Sequence, residues 1–380
     1  MASEFDVVVI GAGVVGLSCA VELARHGHFV GVVEKNEDIA LEGSSRTSGV
    51  IHSGIYYPTG SLKQRLCVRG RELLYERAKK HAIPHAKLGQ LIIACDASEE
   101  KVLELLFHRA KDNGAGPVHW LNSKELQKEE ALARGHAALL VEETGIVRTR
   151  EFARSLLREA WSLGVEVLCG VPIDSLERQG QMWSIQSRAA GFELRAPLVI
   201  NAAGVHADRV AQLAGINVDA FGLRHRYAKG TWMALDARFR KAITRLLYPV
   251  PHAFSQNGPE SLGIHLTRDL EGFLIAGPDC EWLEAIDWGL DPSEERKKRF
   301  VEALEPFFPG LHPSDLCPLS CGIRPKLHGP SERAADFLIR EASEWGAPGL
   351  VLLLGIESPG LTASLAIGEH VRKIATSSLL

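Results

Sequence analysis

Three polar residues in this chain have the types and neighbours that chemistry requires. His52 stands alone in Thr47-Ser48-Gly49-Val50-Ile51-His52-Ser53-Gly54-Ile55-Tyr56-Tyr57, a run of small, hydroxyl and aromatic residues with no helical period. His265 lies between apolar neighbours in Gly263-Ile264-His265-Leu266-Thr267, and Arg324 sits in Gly322-Ile323-Arg324-Pro325-Lys326. An imidazole titrates near neutrality, so either histidine suits a general base. A guanidinium fork grips a carboxylate at two points. By composition alone His265 reads as a core histidine and each basic residue as a surface charge. Other elements have to bring them to one place.

The first such element is Phe5-Asp6-Val7-Val8-Val9-Ile10, an apolar run that reads as a strand buried on both faces of a parallel sheet. Gly11, Gly13 and Gly16 follow it at dinucleotide-fingerprint spacing. They predict a tight turn, close backbone approach to a pyrophosphate, and close packing of helix on sheet. Leu17, Val21 and Ala24 recur at helical spacing, so a helix N-terminus faces the turn and favours an anion. A second strand over 28–33 ends at Glu34, where an acid accepts hydrogen bonds from a ribose 2′-hydroxyl and disfavours NADP.

Further along, Leu198-Val199-Ile200-Asn201-Ala202-Ala203-Gly204 is a buried strand ending in small residues, which let a ligand approach the sheet. Near the far end, a buried run over 350–354 leads through Gly355-Ile356-Glu357-Ser358-Pro359-Gly360-Leu361-Thr362 into a helix over 363–374. One pyrophosphate needs one glycine turn. A second, at another helix N-terminus, suits the pyrimidine end of a flavin, where reduction places negative charge. This two-ended arrangement predicts FAD rather than NAD. The candidate cofactor residues are Gly11, Gly13, Gly16, Glu34, Ser45, Arg46, Ser48, Gly49, Ala203, Gly204, Gly322, Gly355, Ser358, Gly360, Leu361 and Thr362.

At 380 residues the chain suits two domains, and 46% apolar with 24% charged residues is the composition of a soluble globular protein. A net charge of −4 with no long basic run gives no reason to expect nucleic acid. The longest apolar run is strand-sized, so no transmembrane segment is expected, and the early first strand leaves no room for a signal or transit peptide. The seven cysteines are scattered and read as free thiols of a reducing, cytoplasmic compartment, with peripheral membrane contact left open. Cys317 and Cys321 have the wrong spacing for a zinc knuckle, so no metal is expected.

The first strand, the acid, the His52 loop and the later segments resemble the D-amino-acid-oxidase type of FAD-dependent oxidoreductase, most closely the L-2-hydroxyglutarate dehydrogenase group. The resemblance spans nearly the whole chain. It implies an α/β fold: a Rossmann-like FAD-binding domain (1–85, 146–214 and 322–380) with a mixed, mostly antiparallel sheet substrate domain (86–145 and 215–321). It implies that His52 lies near the isoalloxazine, that His265 faces the flavin, that the Val171 backbone contacts adenine, and that Arg324 anchors the substrate acid. Arg226, Lys229 and Lys326 are candidates for a second carboxylate, with Tyr57 as hydroxyl donor. The implied reaction is oxidation of a small 2-hydroxy acid. The partners are that acid and an electron acceptor: oxygen, a quinone or a carrier. Oxidation of amino acids or N-methyl amines, and of glycerol 3-phosphate, are the neighbouring alternatives. A nucleotide-binding sensor without turnover is the non-enzymatic one.

Overall fold

Val7–Ile10 forms the expected strand, and its burial follows from the alternation of side chains along a strand. Val7 and Val9 face one core layer, packed with the helix Val14–Arg25, while Val8 and Ile10 face a second layer that holds Trp183, Val199 and Leu350. A strand buried on both faces has no polar side, hence the unbroken apolar run. The structure is a computed structural model and describes residues 3–251, 262–330 and 332–378. The stretch 252–261, part of the expected substrate sheet, lies outside the described residues.

Val7–Ile10 is central in a six-stranded sheet. The strand order runs Glu166–Leu168, Val30–Val33, Val7–Ile10, Leu198–Asn201, Ala347–Leu354, Leu338–Ala342. All neighbours are parallel except the last pair. The helices Val14–Arg25, Thr149–Ser162 and Gly360–Ser378 put apolar side chains on one face of it. The helix Leu62–Lys80 crosses the last helix so closely that a Cβ on Gly70 would meet the Thr362 carbonyl oxygen.

Among the described residues the second large sheet has nine strands. Arg226–Leu235 and Leu316–Lys326 pair antiparallel along their length. The segment after residue 85 supplies Gln90–Ala94, Val118–Asn122 and Ala137–Val141 to the same sheet, joined through a parallel pairing of Gln90–Ala94 with Leu246–Pro249. Every other pairing in it is antiparallel. The fold is thus α/β, a Rossmann-like, mostly parallel sheet beside a mixed, mostly antiparallel one. The chain passes from Leu316–Lys326 in the second sheet to Leu338–Ala342 in the first, and the cavity described next spans that junction.

Candidate active site

The main cavity, about 900 Å³, has a glycine turn at each end. At the first end Gly11 has φ +103°, a conformation that side-chain-bearing residues avoid, and a Cβ there would lie 2.6 Å from the Ala202 carbonyl oxygen. A Cβ on Gly16 would lie 1.9 Å from the Gly11 oxygen, so Gly16 acts by letting the helix pack on the turn and does not itself reach the cavity. Gly13 begins the helix without a side-chain cap, and the Val14 N–H donates to the Ser44 hydroxyl at 3.1 Å. Glu34 is buried at the end of Val30–Val33, accepting from the Ala12 N–H at 2.9 Å and from the Asn36 side chain at 2.7 Å. Val171 donates its N–H to the Glu34 carbonyl at 2.8 Å and joins Ala203 and Gly204 on the same wall. A backbone cradle that any Cβ would fill, an uncapped helix N-terminus and an acid at the strand end fit the adenosine and pyrophosphate of FAD.

The middle of the cavity holds Arg46 and Ser48. The Arg46 guanidinium lies 4.7 Å over Trp288 and donates Nη1 to the Cys321 carbonyl at 3.4 Å; its buried Nε has no partner among the described residues. Gly322 lets Leu316–Lys326 close on this loop, because a Cβ there would meet the Arg46 carbonyl at 2.5 Å. Glu42, also on the wall, would be raised by burial, but His206 and Lys35 hold its carboxyl down at about 2.

At the other end the two histidines meet one cavity from different sheets. His265 stacks on Tyr248, with ring centroids 3.8 Å apart and planes at 15°, and its Nδ1 lies 2.8 Å from the Gly263 carbonyl. A carbonyl only accepts, so Nδ1 carries the proton and Nε2 is left as the basic atom. Burial, with His52 and Arg324 nearby, drives the His265 imidazole down to about 3, against a smaller upward pull from the Gly263 bond. His52 follows Val50–Ile51; its N–H donates to Thr362 Oγ1 at 3.1 Å and its Nε2 lies 3.2 Å from Ser358 Oγ. Burial lowers this imidazole to about 4. Both rings are therefore neutral at physiological pH. The Arg324 guanidinium is fixed by three backbone carbonyls: Ala228 at 3.2 Å, Lys229 at 3.3 Å and Asp279 at 2.7 Å. Tyr57, bonded to Ser358, completes this end.

The second glycine turn, 355–362, presents Ser358, Gly360 and Leu361 at the N-terminus of Gly360–Ser378. Beside it lies an ion triad. Glu357 accepts from Lys63 Nζ at 2.9 Å and from Lys326 Nζ at 2.9 Å, all three side chains being at least nine-tenths buried. Burial would raise the Glu357 carboxyl, but the two ammoniums hold it well below the usual range. The turn itself is anchored from behind: the Gly355 N–H donates to His225 Nε2 at 3.1 Å, and Asp208 lies 3.5 Å from the other ring nitrogen.

Some expected residues sit elsewhere. Lys229 lies on the face of its strand opposite Trp232, because side chains alternate, and its Nζ bonds Asp287 at 2.8 Å outside the cavity. Arg226 is exposed at the first residue of the same strand. Ser45 turns its hydroxyl to the Leu41 and Glu42 carbonyls, and Ser44 takes the place expected for it. Gly49, Gly355 and Thr362 support the walls from behind: a Cβ on Gly49 would lie 2.7 Å from the Val147 carbonyl, and Thr362 also donates to the Val50 carbonyl at 3.3 Å. Sequence reasoning missed Lys63, Glu357, Tyr248 and Trp232. Glu357 carried a signal, a lone charge inside an otherwise apolar glycine turn; Lys63 carried none, being one of many cations on its helix.

The FAD dependent oxidoreductase family profile matches residues 6–374. The mitochondrial L-2-hydroxyglutarate dehydrogenase of Arabidopsis thaliana is 36% identical, over 96% of this chain and 82% of that protein. The L-2-hydroxyglutarate dehydrogenase of Indibacter alkaliphilus is 29% identical, over 97% and 98%. Among solved structures, L-alpha-glycerophosphate oxidase from Mycoplasma pneumoniae with FAD bound superposes with a TM-score of 0.85 at 23% identity, covering 98% of this chain and 95% of that one. Glycine oxidase from Geobacillus kaustophilus gives 0.82 at 19% identity, over 99% and 96%. The two structures share the fold, and the family match covers nearly the whole chain. This chain belongs to the FAD dependent oxidoreductase family, and FAD is its cofactor.

Proposed function

We propose that the protein oxidises L-2-hydroxyglutarate to 2-oxoglutarate. The observation that supports this most is the convergence of a neutral imidazole, a fixed guanidinium and two ammoniums on one cavity wall. Relatives at 36% and 29% identity carry the same activity in their names. FAD, when bound, supplies the two-electron oxidation by accepting the substrate C2 hydride at N5.

His265 Nε2 takes the hydroxyl proton as the C2 carbonyl forms, its tautomer held by Gly263 and its ring plane by Tyr248. Arg324 holds the C1 carboxylate, and its three backbone contacts remove the rotamer freedom that a free side chain would lose on binding. Tyr57 donates to a substrate oxygen, His52 and Ser358 set the opposite wall, and Lys326 takes the second carboxylate.

In this reading the FAD-binding domain comprises 1–85, 146–214 and 322–380, and 86–145 with 215–321 forms the substrate domain. Gly11, Gly13, Glu34, Arg46, Ser48, Val171, Ala203, Gly204, Gly322, Ser358, Gly360 and Leu361 hold the cofactor, with Gly16, Gly49, Gly355 and Thr362 shaping the turns behind them. Among the described residues no helix is long and apolar enough to cross a membrane. We place the enzyme in the cytoplasm, passing electrons to oxygen, a quinone or a carrier.

The test is an absorbance spectrum of the purified protein, followed by anaerobic addition of L-2-hydroxyglutarate. Two flavin bands that bleach on addition support the reading. Bands that persist with the hydroxy acid but bleach with glycerol 3-phosphate, sarcosine or an amino acid overturn the substrate.

A further inference from the structure

Most charged groups of this chain are exposed, but Lys63, Lys326 and Glu357 are buried together on the cavity wall. Two ammoniums and one carboxylate leave a net charge of +1 there. Burying an unbalanced charge is costly, and a fold that needs only packing avoids it. Nearby Asp336 is an exposed carboxylate that accepts from the Leu62 and Lys63 N–H groups at 2.6 and 2.9 Å, and with the exposed Arg333 guanidinium on the same wall it leaves the local sum at +1. Burial and the Lys326 ammonium push the His328 imidazole down.

The donor count points the same way. An ammonium has three N–H donors. Lys63 Nζ spends two, on Glu357 and on the Ala335 carbonyl at 2.9 Å. Lys326 Nζ spends its contacts on the two oxygens of Glu357, at 3.1 and 2.9 Å. Each retains a donor. Arg324 and Lys326 are two residues apart in one strand, so they share a face at a spacing of about 6.6 Å. Both line the cavity, so a substrate held by one carboxylate at Arg324 has the Lys326 ammonium on the same side for a second.

We propose that Lys63, with Lys326, forms a subsite for the second carboxylate of the substrate, and that Glu357 positions both ammoniums and trims their charge to +1. This rests on the hydroxy-acid reading above and adds to it the residue that selects a diacid over a monoacid. With one carboxylate bound the triad is neutral; with a monoacid it stays at +1 and unpaired. Lys63 reaches this position from a helix of the other sheet's layer, so selection depends on a residue far from the substrate strand in sequence.

The experiment compares wild type with Lys63→Met and Lys63→Arg, all loaded with FAD. It measures kcat and KM for L-2-hydroxyglutarate and for L-2-hydroxybutyrate, and the Kd of glutarate from the perturbation of the flavin spectrum. We expect Lys63→Met to raise the KM for the diacid and the Kd of glutarate by about 10- to 100-fold, as for loss of one charge-assisted contact. Turnover of the monoacid stays within a factor of about two, and Lys63→Arg restores diacid binding. An unchanged glutarate Kd in folded, yellow Lys63→Met overturns the proposal. So does an equal loss with both substrates, which would mean that the triad acts on the flavin. A wild type that oxidises amino acids and no hydroxy acid refutes the earlier reading instead, and is recognised before any variant is made.

Discussion

The assignment of His265 as base makes a demand on the pH profile. An imidazole at its ordinary value near 6.5 would be about nine-tenths protonated at pH 5.5, and a base so placed would lose about tenfold in kcat/KM between pH 8 and 5.5. Burial holds His265 at about 3, so less than about 1% of it is protonated at pH 5.5. His52, at about 4, stays neutral over the same range. The kcat/KM of the FAD-loaded enzyme for L-2-hydroxyglutarate, read with a dye acceptor at constant ionic strength, should therefore be flat from pH 8 to 5.5. His265→Asn keeps an N–H donor near the Nδ1 position but removes Nε2 as a base, and should lower kcat by about 10²- to 10⁴-fold while the flavin spectrum is retained. An acidic limb centred near pH 6.5 that disappears in His265→Asn would refute the buried, neutral imidazole. A variant with undiminished kcat would refute its role as base.

Four other outcomes follow from the same geometry. Gly11→Ala places a Cβ 2.6 Å from the Ala202 oxygen at φ +103°, a strain of about 1–3 kcal/mol, so FAD should bind about 5- to 150-fold more weakly, seen in the flavin-to-protein absorbance ratio after dialysis. Arg324→Lys loses the fork held by three carbonyls and should cost about 10- to 150-fold in kcat/KM, whereas Lys229→Met, whose ammonium pairs with Asp287 outside the cavity, should leave KM within a factor of about two. Both cavity histidines have folded values below the unfolded one, so the unfolded chain binds more protons in acid. Stability is then complete above about pH 6.5 and falls as pH drops toward 4, which thermal melts across that window will register. Val9→Ala, in the strand buried on both faces, should destabilise the fold by about 1–3 kcal/mol without altering the kcat of the remaining folded enzyme, measurable by denaturant titration.

Much of this was legible before any coordinates. Val7–Ile10 and 350–354 announce themselves because a strand covered on both faces has no polar positions, and glycines beside a helix start have few other uses. By composition His265 reads as a core histidine and Arg324 as a surface charge, and only the family resemblance brings them to the site. Lys229 shows where one-dimensional reading stops. Whether it faces substrate or Asp287 depends on the register and parity of Arg226–Leu235, which pairing with Leu316–Lys326 decides and spacing along the chain does not. Ser45 failed by one residue for a similar reason: only the loop's path makes Ser44 the partner of Val14. Lys63 was invisible because its role arises from a helix crossing, and nothing in an amphipathic pattern marks which of its many cations meets Glu357.

The separation of the two glycine turns bears on how the holoenzyme is made. The cradle at 11–16 belongs to the first strand of the parallel sheet, and the turn at 355–362 leaves a strand that reaches it only through Leu198–Asn201. Pairings this distant in sequence are slow, since the loops between them must close first. The first turn has no opposite wall until the strand Ala347–Leu354 has joined the sheet beside Leu198–Asn201. Flavin capture is therefore a late event, and the appearance of yellow protein during refolding reports the completed sheet, whereas recovery of helical signal reports only its parts.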